Sequence, residues 1–124
     1  MNDGFRLALG KHLLAIDERD LEGLAATLAP ESLLLVASDG RLTRTTKEFL
    51  DSYRAWFAMK HWRLDVKPAQ IWEGTELGVA LLHYAYREMP PGGTPTLQLS
   101  LVTLVFRNLD GRWLMVQNQN TPIR

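Results

Sequence analysis

The chain has 124 residues, 14 Lys plus Arg against 14 Asp plus Glu, a hydrophobic fraction of 46% and no cysteine. The length suits one domain with a single core, and a net charge of zero lacks the basic surplus with which a protein displaces counterions from nucleic acid. Without cysteine there are no disulfides, no thiolate chemistry and no cysteine-ligated zinc.

Asp3, Arg6 and Lys11 interrupt the first apolar residues, so no signal-peptide pattern opens the chain. No apolar run approaches the length of a membrane span, and the expected location is the cytoplasm. The first helix follows Asp3, with Phe5, Leu9, Leu13 and Ile16 at helical spacing. A short second helix starts at Asp20, a good N-cap, presents Leu21, Leu24, Ala25 and Leu28, and stops before Pro30. The apolar stretch Ser32 to Ala37 suits a buried strand, and Ser38-Asp39-Gly40 a tight turn. Thr45-Thr46-Lys47-Glu48 fits a capping box and opens a third helix, whose Phe49, Leu50, Tyr53, Trp56 and Phe57 share one face.

At Trp62 the period changes from 3.6 to 2. Trp62, Leu64 and Val66 alternate with Arg63, Asp65 and Lys67, as in a half-buried strand. Pro68 cannot donate to a ladder and marks an edge or a bulge. Further strands run from about Leu77 to Glu88, Thr96 to Arg107 and Arg112 to Asn120, joined by Pro90-Pro91-Gly92-Gly93 and by the hairpin turn Asn108-Leu109-Asp110-Gly111. The class is α+β, with three N-terminal helices packed in a curved, mostly antiparallel sheet that closes into an open-ended cone.

The segments Asp20 to Leu24, Leu28 to Glu31, Val105 to Trp113 and Gln117 to Pro122 carry a resemblance over the whole chain. It resembles the nuclear-transport-factor-2-like superfamily, of cystatin-like fold, and within it SnoaL-like domains. It is also similar to the association domain of calcium/calmodulin-dependent kinase II and to ketosteroid isomerase-like proteins. The resemblance implies a single SnoaL-like domain over residues 1–124 but no particular chemistry. Ketosteroid isomerase needs a carboxylate base, a tyrosine and a protonated acid. Matching places His12, Ala37 and Thr103 at the tyrosine, base and acid positions, so none of the three groups is supplied.

The same match orients the sheet. With Thr103 facing the cone interior, Leu99, Leu101 and Val105 face it too, as do Leu114, Val116, Asn118 and Asn120, and Leu82, Tyr84 and Tyr86. An apolar interior with a few polar groups is the usual form of a small-ligand site. The candidate contacts are Tyr53, Trp56, Tyr84, Tyr86, Thr103, Asn118 and Asn120. His12 is the candidate base of an isomerase, dehydratase or cyclase, or else a hydrogen-bonded core residue. His12, His61 and His83 show no metal-ligand spacing, no serine lies in a nucleophile elbow, and no cofactor motif occurs.

The opposite set on these strands includes Val102, Leu104, Trp113 and Met115. An exposed face of that character points to an interface, and the expected partner is a second copy pairing through the convex sheet face. The leading expectation is a homodimer binding a small apolar ligand in the cone, with an enzyme using His12 or an oligomerisation module as alternatives.

Overall fold

The structure, a computed structural model, describes residues 3–123. Its elements are α1 (Asp3–Asp17), α2 (Leu21–Ala25), β1 (Ser32–Val36), β2 (Leu42–Thr45), α3 (Thr46–Ala58), β3 (Trp62–Glu73), β4 (Leu77–Glu88), β5 (Thr96–Leu109) and β6 (Arg112–Pro122). The six strands form one sheet in the order β2-β1-β6-β5-β4-β3. All pairings are antiparallel except β1 against β6. The expected α+β architecture is therefore present, with one element more than the sequence suggested: β2, which pairs with β1.

The local signals act as their chemistry requires. The Asp20 carboxylate accepts from Gly23 N at 3.0 Å and caps α2. Thr45 Oγ1 accepts from Glu48 N at 3.1 Å and caps α3. Asp110 and Gly111 both take positive φ, 54° and 89°. They form the two-residue turn whose twist matches flanking antiparallel strands, and the Asn108 side-chain oxygen accepts from Gly111 N at 2.8 Å. Pro68 lies on the edge strand β3, at the start of a bulge between Pro68 and Gln70.

The helices lie against one face of the sheet. Phe5, Leu9, His12 and Ile16 of α1, Leu24 of α2 and Phe49 of α3 are buried, as are Ala80, Leu82, Val102, Leu104, Phe106 and Met115 from the strands. Phe5 meets the edge of Phe106 at 5.6 Å between ring centres. A Cβ on Gly78 would lie 2.5 Å from the Phe5 ring, so this close approach requires glycine.

This packing corrects the expected orientation of β5. Val102, Leu104 and Phe106 point to the helices, and Leu99, Leu101, Thr103 and Val105 therefore lie on the opposite face. Met115 is fully buried and Trp113 packs on Phe5 at 5.7 Å, so neither belongs to the outer face. Phe106 pairs with Met115 but Val105 with Gln117, which leaves Val116 as the extra residue of a bulge. Beyond that bulge Asn118 shares a rung with Leu104, and Asn120 with Val102, so both asparagines face inward as expected. Leu114 and Val116 do not continue their series: Leu114 pairs with Arg107, and Val116 has no partner on β5.

Candidate functional site

A cavity of about 460 Å³ opens between α3, the β1–β2 hairpin and the inner face of the sheet. Tyr53 and Trp56 reach it from α3, Leu64 from β3, Tyr84 and Tyr86 from β4, Gln98 and Ser100 from β5, and Asn118 and Asn120 from β6. Ser38, Arg41, Ser52 and Gln98 are exposed and form its mouth. Of the expected contacts, the structure brings Tyr53, Trp56, Tyr84, Tyr86, Asn118 and Asn120 together on this wall. Thr103 is not among them, because it points away with Leu101 and Val105.

The aromatic side of the cavity is closely packed. Tyr53 stacks on Phe49 at 4.2 Å, and Trp56 stacks on Trp62 at 4.2 Å. Trp56 Nε1 donates to the Tyr86 hydroxyl at 3.1 Å, and Trp62 Nε1 donates to the Trp56 carbonyl at 3.0 Å. The Arg19 guanidinium lies 3.8 Å from the centre of the Trp62 ring and donates to its carbonyl oxygen at 2.6 Å. Each ring is thus fixed by a second contact behind it, which orders the wall without a ligand.

Two polar atoms on the wall are left over. The Tyr84 hydroxyl and the Asn120 side-chain oxygen are buried and have no hydrogen-bond partner in the protein. Leaving such groups unpaired costs about 1–3 kcal/mol each, so they are natural anchors for a bound group. Burial raises the Tyr84 pKa, helped by the neighbouring Tyr53, and pushes Tyr53 up to about 12 against a lowering by the Asn118 side chain. Burial also raises Tyr86. All three phenols therefore remain protonated at neutral pH and can donate. Among the described residues no carboxylate or imidazole lines the cavity, and none gather in a group that could hold a metal ion.

His12 lies elsewhere. Its ring has no exposed surface, meets Phe106 edge-on at 5.8 Å and takes no part in the cavity wall. Thr27 Oγ1 donates to the Leu24 carbonyl at 2.7 Å, so its lone pair accepts from His12 Nδ1, 2.8 Å away. That fixes the neutral Nδ1–H tautomer and leaves Nε2 without a partner. Burial lowers the His12 pKa to about 4. Phe106 of β5 and Thr27, just beyond α2, enclose the ring together with Leu9 and Ile16 of its own helix.

Sequence reasoning missed Arg41, Ser52, Gln98 and Ser100. Gln98 and Ser100, polar residues alternating with Leu97, Leu99 and Leu101, were the available signal that their side of β5 faces a polar site.

Comparison with known proteins supplies the family. The chain spans 96% of itself and 94% of a candidate calcium/calmodulin-dependent kinase type II association domain from Thiobacillus denitrificans, at 18% identity and a TM-score of 0.80. A candidate dehydratase of the nuclear-transport-factor-2-like family from Streptomyces avermitilis superposes at 0.85 with 17% identity, covering 98% of this chain and 96% of that one. A ketosteroid isomerase-like protein from Erwinia carotovora atroseptica superposes at 0.81 with 14% identity, covering 100% and 99%. At such identities these likenesses establish the fold alone. No curated protein matches the sequence. The SnoaL-like domain model matches residues 7–122, and this chain belongs to the SnoaL-like domain family.

Proposed function

We propose that the domain binds a small, mostly apolar ligand in its cavity, without ketosteroid isomerase chemistry. The observation that carries the reading is the pair of buried, unpartnered polar atoms, Tyr84 Oη and Asn120 Oδ1, on a wall that also holds Tyr53, Trp56, Leu64 and Tyr86. A site built to bind presents a few fixed polar groups in apolar surroundings. A site built for proton transfer needs a group that titrates near the working pH, and the described wall supplies none. His12 is enclosed by its own helix and the sheet, which supports a structural role for it rather than that of a base.

Tyr84→Phe separates binding from folding. Removing an unpaired buried hydroxyl should leave the stability of the free protein equal or slightly higher. The same change should weaken binding of a naphthol, measured by calorimetry, by about tenfold, the worth of one hydrogen bond in a dry site. If the variant is markedly less stable and binds equally well, the hydroxyl is a structural group and the reading fails.

The second part of the reading is a homodimer through the outer sheet face, now with corrected residues. Trp72, Leu77, Leu97, Leu99 and Ile123 are all exposed there, Trp72 by 71%. Val79, Leu81, Leu101 and Val105 are half-buried among them. Isologous pairing covers such a patch with its own copy. Light scattering should report a dimer at micromolar concentration and a monomer for Leu99→Arg; a monomeric native protein would exclude the pairing.

A further inference from the structure

Resting on the binding reading above, we infer that the ligand is a flat hydroxy acid, its hydroxyl held by Tyr84 and Asn120 and its carboxylate lying at Arg41.

The buried end specifies the hydroxyl. The Asn120 side-chain oxygen only accepts, whereas the Tyr84 hydroxyl can donate. A carbonyl would pair with both groups only if the Asn120 amide turned over, since its oxygen is the end that faces the buried site. An ammonium would satisfy the asparagine but enter a wall that, among the described residues, offers no carboxylate. A hydroxyl accepts from one and donates to the other.

The mouth specifies the charge. Arg41 is the one charged side chain among the described residues lining the cavity. Its place is set by the β1–β2 turn: Gly40 takes φ 87°, Gly40 N donates to the Ala37 carbonyl at 2.9 Å, and Arg41 N donates to the Asp39 carboxylate at 3.0 Å. The Arg41 guanidinium stands 4.0 Å from that carboxylate, with both side chains well exposed. A contact so long and so wet is weak, so most of the fork remains open to a bidentate carboxylate. The same wall includes Tyr53, Trp56 and Leu64, which favour a planar apolar body.

The test uses the native protein and four compounds: a hydroxynaphthoate with its two groups at opposite ends of the rings, its primary amide, the naphthoate lacking the hydroxyl, and a naphthol. The acid should bind about three- to tenfold more tightly than its amide, as one exposed ion pair allows. That margin should shrink in high salt and vanish in Arg41→Gln, an exposed change that leaves the fold intact. The preference for the hydroxylated acid over the plain naphthoate should shrink in Tyr84→Phe, where Asn120 alone still accepts from the hydroxyl. Acid and amide binding equally, or a margin that survives Arg41→Gln, would overturn the carboxylate assignment while the binding reading stands. Equal binding of the two acids would overturn the hydroxyl assignment. Failure of all four compounds, the neutral naphthol included, at millimolar concentration would remove both this inference and the binding reading beneath it.

Discussion

Lowering the pH from 7 to 4 should cost the native protein about 3 kcal/mol through His12 alone. The imidazole falls from an ordinary 6.5 to about 4 on folding because burial disfavours its charged form. Above pH 6.5 it is neutral in both the folded and unfolded chains, and its contribution is flat. Between 6.5 and 4 the unfolded chain takes up a proton that the folded chain refuses, so stability falls with pH. Below 4 both forms carry the proton and the loss levels off. Urea unfolding of the native protein and of His12→Gln across this window checks the prediction. The variant will have a different absolute stability, since Thr27 loses its partner, but the slope between pH 6.5 and 4 should flatten. An unchanged slope, or a histidine resonance in the folded protein titrating near 6.5 and assigned to His12, would contradict the buried neutral imidazole.

The second large effect concerns the face of β5. Leu104 has no exposed surface and pairs across the sheet with Ala80 and Asn118. Leu104→Ala should cost about 2–5 kcal/mol, the transfer of the lost methyl groups plus the cavity left behind, and the cost should not depend on protein concentration. Thr103→Ala should cost under about 1 kcal/mol in dilute protein, where any loss at a dimer face is diluted away. Were the opposite register correct, the two costs would exchange places.

That exchange is the point at which the sequence stopped being legible. The period switch at Trp62, the capping box at Thr45 and the Asp110-Gly111 turn are local signals, each read from adjacent residues, and each formed as its chemistry dictates. The strand β2 gave little to read, since Leu42-Thr-Arg-Thr has four residues and one apolar side chain. In β5 both alternation sets are apolar, Val102, Leu104 and Phe106 against Leu99, Leu101 and Val105. Periodicity could not choose between them, and a register wrong by one residue reverses every side chain. A register that sets Thr103 in the cone differs from the observed one by a single residue and turns Val102 and Leu104 out of it.

Much of the candidate site survived the slip for identifiable reasons. Tyr53 and Trp56 come from a helix whose face was unambiguous, and Tyr84 and Tyr86 from a strand whose other face carries His83 and Arg87. Asn118 and Asn120 were found although Val116 interrupts the alternation just before them, because the bulge separates them from Leu114. Ser100 depended on the register of β5, and Arg41 on the pairing of β1 with β2, whose turn at Ser38 to Gly40 is legible but whose second strand is not.

The most direct test of the cavity as a ligand site is a nuclear magnetic resonance titration of the native protein with the hydroxynaphthoate, following backbone and side-chain amides. The largest shifts should fall at Tyr53, Tyr84, Asn118 and Asn120, including the side-chain amide of Asn120, with Leu101 and Thr103 on the outer face unmoved. Shifts that gather instead on the outer face, or none at millimolar ligand, would contradict it.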